Sequence, residues 1–110
     1  MGLLGGPLGG LGLTAGPAAG GDPAITDVAP TSEIEGSDAN LVITLANMPA
    51  GFTLDDIKIN AISANTTMKN SDTEVFGSWM MPAAGSYNVT VEYNTTESVT
   101  ALAAFAVNPP

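Results

Sequence analysis

The chain has 110 residues and is strongly acidic, because eleven carboxylates face only two lysines and give a formal net charge of −9. This charge argues against binding to a nucleic-acid backbone, which needs cationic neutralisation, and against binding to anionic membrane surfaces. Cysteine, histidine and arginine are missing from the sequence. A thiolate nucleophile, an imidazole base and a guanidinium clamp for phosphates are therefore excluded. We expect one domain that is not an enzyme and has no cofactor.

The first 21 residues differ in composition from the rest. They hold nine of the thirteen glycines and five of the nine leucines, and the first charged residue is Asp22. Glycine disfavours a helix by about 1 kcal/mol per residue, and an internal proline such as Pro7 by about 3. A secretory signal would begin with basic residues, whereas the first lysine here is Lys58. We predict an extended apolar arm at residues 1–21, without a cleavable signal, and one domain at residues 22–110.

The leucines of the predicted arm are expected to need a covering surface. Leucines exposed in water are an aggregation liability unless another surface buries them. We therefore predict that the arm binds a partner through its leucines. These are Leu3, Leu4, Leu8, Leu11 and Leu13. The alternative is that the arm packs on its own domain.

Residues 22–110 read as short strands with alternating apolar side chains, separated by turns rich in proline, glycine and asparagine. No segment has a helical period with caps. The predicted strands are Ala24–Val28, Asn40–Ala46, Asp56–Ile62, Glu74–Met80, Tyr87–Tyr93 and Ser98–Val107, with a short edge strand at Thr66–Met68. Thr31–Asp38 is predicted to be a loop or an edge. This pattern is typical of an all-β, immunoglobulin-like sandwich of about seven strands.

The last predicted strand is apolar on both faces. One face carries Val99, Ala101, Ala103, Phe105 and Val107, and the other carries Leu102, Ala104 and Ala106. Such a strand is buried on both sides or covered by a partner. The other interpretation is an edge strand that pairs with the arm of a neighbouring molecule.

Two parts of the domain resemble a known family. The run Pro23–Ser32, followed by Gly36 and Leu41–Thr44, resembles the opening of immunoglobulin-like IPT/TIG domains. The run Met81–Val91, followed by Phe105, resembles their ending. The resemblance implies a scaffold without catalytic residues. Such domains occur in extracellular receptors, beside carbohydrate-acting enzymes and on virion surfaces.

Two groups of carboxylates are candidates for calcium, which prefers oxygen ligands. The first group is Asp55, Asp56, Asp72 and Glu74, and the second is Glu33, Glu35 and Asp38. Neither group has the spacing of an EF-hand, and both fall in predicted turns or at strand ends. We therefore expect solvated turn residues and no metal site.

The aromatic residues suggest two further sites. Trp79 with Tyr87 and Tyr93 is a candidate platform for stacking sugars, although such rings usually belong to the core or rim of a sandwich. Met80 and Met81 follow Trp79, and methionine adapts to irregular contact surfaces. Trp79, Met80 and Met81 are therefore the candidate surface contact, with a core position as the alternative.

These features favour a non-enzymatic structural protein. The leading hypothesis, by analogy of fold, is a capsid decoration (cement) protein of a tailed phage, located on the virion surface. Its arm would bind the major capsid protein or other lattice subunits, and the protein would be a homo-oligomer, with a trimer among the expected states. The first alternative is an extracellular pilus or surface-filament subunit whose arm acts as a donor strand. The second is a carbohydrate- or calcium-binding module.

Overall fold

A computed structural model describes residues 21–110 of the chain. The predicted arm at residues 1–21, including its five leucines, lies outside the described residues except for Gly21. The described part is all-β, as predicted, and its strands form two sheets.

Residues 21–110 contain nine strands. They are β1 (Ala24–Ala29), β2 (Ser32–Ile34), β3 (Asp38–Ala46), β4 (Leu54–Ile59), β5 (Ile62–Ser63), β6 (Thr66–Ser71), β7 (Glu74–Met80), β8 (Gly85–Tyr93) and β9 (Glu97–Asn108). The four-stranded sheet has the order β1-β3-β7-β6, and the five-stranded sheet has the order β2-β9-β8-β4-β5. The two strands beyond the seven predicted are β2 and β5, which are too short to show a clear alternation in sequence.

The core consists of the side chains that alternate inward along the strands of both sheets. Strand β3 contributes Leu41, Ile43 and Leu45, and β8 contributes the alternate residues from Tyr87 to Tyr93. Because the chain has no disulfide, burial of these side chains is the main source of stability. Each fully buried aliphatic side chain contributes roughly 1.5–3 kcal/mol.

The predicted strand Asp56–Ile62 is divided by a tight turn. Strand β4 ends at Ile59, and Ile62 on β5 pairs back against it. Asn60 makes this reversal with a φ of 51°, a left-handed conformation that asparagine tolerates better than most residues. The single long strand of the prediction is therefore wrong beyond Ile59.

Strand β9 contains a bulge that changes which of its residues face the core. Val89 pairs with Ala101 and Tyr87 pairs with Phe105, so three residues of β9 lie opposite Asn88 alone. The middle one, Ala103, has a φ of 50° and its N–H donates to Asn88 Oδ1 at 2.8 Å. Ala103, predicted to share a face with Phe105 and Val107, is instead exposed while those two residues are buried.

The same bulge corrects two other expectations for β9. Ala104, which was assigned to the opposite face, packs against the core, while Leu102 is 78% exposed. The end of β9 is not an edge, because Ala106–Asn108 pair with β2 in parallel on one side and Ala106 and Val107 pair with β8 on the other.

The ring of Trp79 packs directly on Gly77 inside the sandwich. Both residues face inward on β7, and a Cβ added at Gly77 would lie 2.6 Å from Cη2 of Trp79. The indole N–H donates to the Ile62 carbonyl at 3.0 Å. This bond holds the buried indole ring in place, so the ring cannot move aside without losing its hydrogen-bond partner.

We expect Gly77→Ala to lower the free energy of unfolding by roughly 1–3 kcal/mol, because the added methyl group overpacks the contact with Trp79. Chemical denaturation of the full chain measures the change. In a Trp79→Phe background the same substitution should lower the free energy of unfolding by a smaller amount, because the smaller ring leaves more space. An equal cost in both backgrounds would contradict the assigned contact.

Candidate functional site

An apolar row crosses the outer face of the four-stranded sheet. The strand register places Met68 opposite Phe76, Phe76 opposite Val42, and Val42 opposite Ala29. Directly opposed residues of a sheet point to the same face. The side chain of Met68 is 61% exposed, and those of Phe76 and Val42 are half-buried. We call these four residues the outer apolar row.

A groove of about 440 Å³ lies along this row. Its lining includes Val42, Met68 and Phe76 from the row together with Asn40, Thr66 and Ser78. The hydroxyl groups of Thr66 and Ser78 are 2.6 Å apart and hydrogen-bond to each other. The groove therefore offers an apolar strip with a short polar border.

Acidic side chains flank the outer apolar row on both sides. On one side, Asp27 lies opposite Thr44 and Thr44 opposite Glu74. On the other, Asp38 lies opposite Met80, whose side chain is 62% exposed. An acidic border repels negative groups and favours an uncharged or positively charged partner.

Both lysines of the chain are engaged elsewhere. Lys69 donates from Nζ to the Phe52 carbonyl at 2.6 Å, and Nζ lies 4.1 Å from the centroid of the Phe52 ring. Lys58 pairs with Glu92 at 3.0 Å on the five-stranded sheet. Hence neither lysine neutralises the acidic border of the outer apolar row.

The outward cross-strand rows formed by β4, β8 and β9 in the five-stranded sheet are polar by contrast. Its cross-strand rows contain Lys58, Thr90 and Thr100 in one case and Asp56, Glu92 and Ser98 in the next. The hydroxyl groups of Thr90 and Thr100 lie 2.9 Å apart. Exposed apolar side chains do occur on the five-stranded sheet, at Ile34 and Leu102, but they are not aligned across neighbouring strands. The continuous outer apolar row of the four-stranded sheet is therefore the candidate site for a partner.

The strand geometry puts the three residues of the predicted surface contact on different faces of the sheet. These residues are Trp79, Met80 and Met81. Trp79 and Met81 are buried in the core, with exposed fractions of 2% and 3%. Only Met80 is exposed, on the same face as Phe76. The expectation is therefore corrected for Trp79 and Met81, because successive side chains of a strand point to opposite faces. The predicted contacts of the five arm leucines lie outside the described residues.

The candidate sugar platform is not exposed. Trp79, Tyr87 and Tyr93 are all buried in the core. Tyr93 lies in an edge-to-face contact with Phe52, with ring centroids 5.8 Å apart. Burial, followed by the nearby charge of Glu97, raises the pKa of the Tyr93 hydroxyl. These rings stabilise the core and present no stacking surface.

Three of the candidate calcium ligands accept hydrogen bonds from loops and neighbouring strands. Asp55 accepts the Thr95 N–H at 2.6 Å, Asp56 accepts the Ser63 hydroxyl at 2.7 Å, and Glu35 accepts the Ala84 N–H at 3.0 Å. Among residues 21–110, no three His, Cys, Asp or Glu side chains come together as a metal site.

The outer apolar row was missed at the sequence level, although a signal for it was present. Val42 and Phe76 occupy outward positions between inward residues of their own strands, where a polar residue is usual. The row can be recognised only from the strand register, because Ala29 on β1 and Met68 on β6 are far apart in sequence.

No protein-family model matches the chain, and no curated protein matches it. No helix long and apolar enough to cross a membrane occurs in residues 21–110.

Asp72 links two loops at the end of the sandwich where β1 begins. Its carboxylate pairs with Lys69 at 2.8 Å and accepts the Gly51 N–H at 3.1 Å. The hydrogen bond from Lys69, followed by the one from Gly51, lowers the pKa of Asp72 below its ordinary value of 3.8. The ionised form thus stabilises the folded state at pH values above the unfolded pKa.

We expect Asp72→Asn to lower stability at pH 7 but to have little effect once the pH falls below the native pKa of Asp72. The reason is that protonation already removes the same interactions in the parent chain. Thermal unfolding between pH 2 and pH 7 measures this dependence. Asp27→Asn removes the same charge without touching Lys69 and serves as the control. A destabilisation by Asp72→Asn that persists at pH 2 would contradict the prediction.

Proposed function

We propose that this chain is a non-enzymatic assembly subunit that joins a larger structure through its N-terminal arm. The observation that carries the proposal is the division of the chain into an uncharged, leucine-rich segment at residues 1–21 and an acidic β-domain. The outer apolar row adds support, because it gives this domain a continuous apolar surface across three neighbouring strands and the edge strand β1.

The proposed domain type is an immunoglobulin-like sandwich of the IPT/TIG kind. Support comes from the strand order, in which β1, β3, β7 and β6 correspond to strands A, B, E and D, and β9, β8 and β4 to G, F and C. Tyr87, near the start of β8, donates its hydroxyl to the Ala83 carbonyl. A tyrosine bonded to the backbone at this corner is typical of immunoglobulin-like domains.

The specific form that we propose is a capsid decoration (cement) protein of a tailed phage. The arm would bind the major capsid protein or neighbouring decoration subunits, and the acidic domain would face outwards on the virion. Each arm would bury leucines at roughly 25 cal/mol per Å² of apolar surface, and many copies on one shell would multiply the effect. The assignment to phage is made by analogy of fold.

A surface-filament subunit is the second candidate, and a gap between the sheets favours it. A groove of about 140 Å³, lined by Ile25, Val28, Ala101 and Ala104 among others, lies between β1 and β9. Strand β1 is also an edge of its sheet. A donor strand from a neighbouring subunit could pair with such an edge.

Deletion of residues 1–21 is expected to leave a folded, soluble and monomeric β-domain that no longer joins its assembly. The physical reason is that the core is built from residues between Val28 and Val107. Circular dichroism measures the fold, light scattering measures the mass, and imaging of native particles shows whether the chain sits in a shell or in a fibre.

A variant of the same length provides the control for this deletion. Replacing the five arm leucines by serine keeps the chain length but removes the apolar contacts, so it should also abolish assembly. Unfolding of the truncated domain would mean that the arm belongs to its own core. A deletion variant that assembles as the full chain does would also contradict the proposal.

A further inference from the structure

We propose that the outer apolar row of one copy is the docking site for the leucine-containing arm, Leu3–Leu13, of a second copy. This inference rests on the proposed function and names the surface that the arm binds. It is carried by the row itself, by the acidic border around it, and by the length and composition of the chain that precedes Gly21.

The charge distribution favours an uncharged peptide as the occupant. The whole net charge of −9 lies in residues 22–110, since the first charged residue is Asp22. If two copies met face to face across the four-stranded sheet, the carboxylates of Asp27, Asp38 and Glu74 in each would approach those of the other. Like charges brought together in this way oppose association. The arm carries no charge and avoids this repulsion.

The length of the outer apolar row also matches the spacing of the leucines in the arm. Neighbouring strands lie about 4.8 Å apart, so the four residues of the row span about 14 Å. Three residues of extended chain reach roughly 10 Å, so Leu8 and Leu11 can lie two strands apart on the row. Glycine between the leucines allows close approach to the sheet. Asn40, Thr66 and Ser78 border the groove and can hydrogen-bond to the peptide backbone.

The position at which the chain enters the domain favours docking by the arm of another copy. Asn47 donates from Nδ2 to the Asp22 carbonyl at 3.2 Å, and Ala24 pairs with Ala46 at the end of the sheet. Ala29 in the row lies five residues further along β1, at a distance of roughly 17 Å. The described chain thus enters the sheet about 17 Å from the row, and we propose that the arm reaches the row of a neighbouring copy and does not fold back along its own β1.

This contact is asymmetric, because one copy supplies the arm and the other supplies the row. Such head-to-tail contacts close into rings or extend into filaments, depending on the rotation between copies. A ring of decoration subunits is one product of this geometry.

A complementation experiment with the full chain tests the inference. The row variant carries Phe76→Ser and Met68→Ser, and the arm variant carries Leu8→Ser, Leu11→Ser and Leu13→Ser. Thr90→Ala with Thr100→Ala, at outward positions of the other sheet, is the matched control for the row. Light scattering after size exclusion gives the mass, and thermal unfolding checks that each variant folds.

The parent chain and the control should associate, while each of the two variants should need at least tenfold higher concentration to do so. An equimolar mixture of the two variants should form a 1:1 heterodimer, because one chain supplies an intact arm and the other an intact row. Native mass spectrometry with one chain isotopically labelled identifies this species.

Three results would overturn the inference. If the row variant associates like the parent and the arm variant does not, the arm binds elsewhere, and the proposed assembly function survives. If both variants lose association but the mixture gives no heterodimer, the arm does not dock on the row of a second copy. If the parent is a monomer and the row substitutions change nothing, the inference fails, and imaging of native particles decides the proposed function separately.

Discussion

The structure depends on burying one face of each sheet in a core shared by about 90 residues without a disulfide. Because side chains alternate along a strand, the inward positions of the central strands are apolar and closely packed, as at Gly77 against Trp79. Outward positions carry no such requirement. An apolar side chain such as Phe76 on the outer face adds little to the core, so another interaction is needed to explain why it is there. The proposed function places this interaction in the assembly and not in the core.

The bulge in β9 shows how the same constraint acts on a sequence that lacks clear alternation. Leu102, Ala103 and Ala104 are all apolar, and two of them must leave the core for the strand to keep its register with β8. Asn88 resolves the conflict by accepting the Ala103 N–H, which satisfies a backbone donor that the disrupted ladder would leave unpaired. The consequence is an exposed Leu102 at the side of the sandwich.

Strand positions in this chain were largely predictable, but the candidate site was not. The alternation from Tyr87 to Tyr93 predicted β8 and its inward face, and the proline and glycine turns predicted where strands end. The division at Asn60 and the bulge at Ala103 depend on left-handed backbone conformations. Asparagine only permits this conformation, and alanine disfavours it, so neither position was predictable from sequence. The outer apolar row depends on register across four strands, which is a tertiary property. Trp79 and Met81 were grouped with Met80 because the three residues are adjacent in sequence. Adjacent residues of a strand point to opposite faces, so only Met80 reaches the surface.

The distribution of charge connects the fold to the proposed assembly. All charged residues lie after Gly21, so the domains of neighbouring copies repel one another at long range while the arms do not. Repulsion between domains is screened over roughly 8 Å at physiological ionic strength, whereas apolar burial of leucine acts only on contact. In the proposed assembly, a subunit built this way would resist non-specific clustering and would associate where an arm meets a matching apolar surface. The acidic domain and the uncharged arm would together make the proposed contact selective, because either part alone would give a soluble monomer or an aggregate.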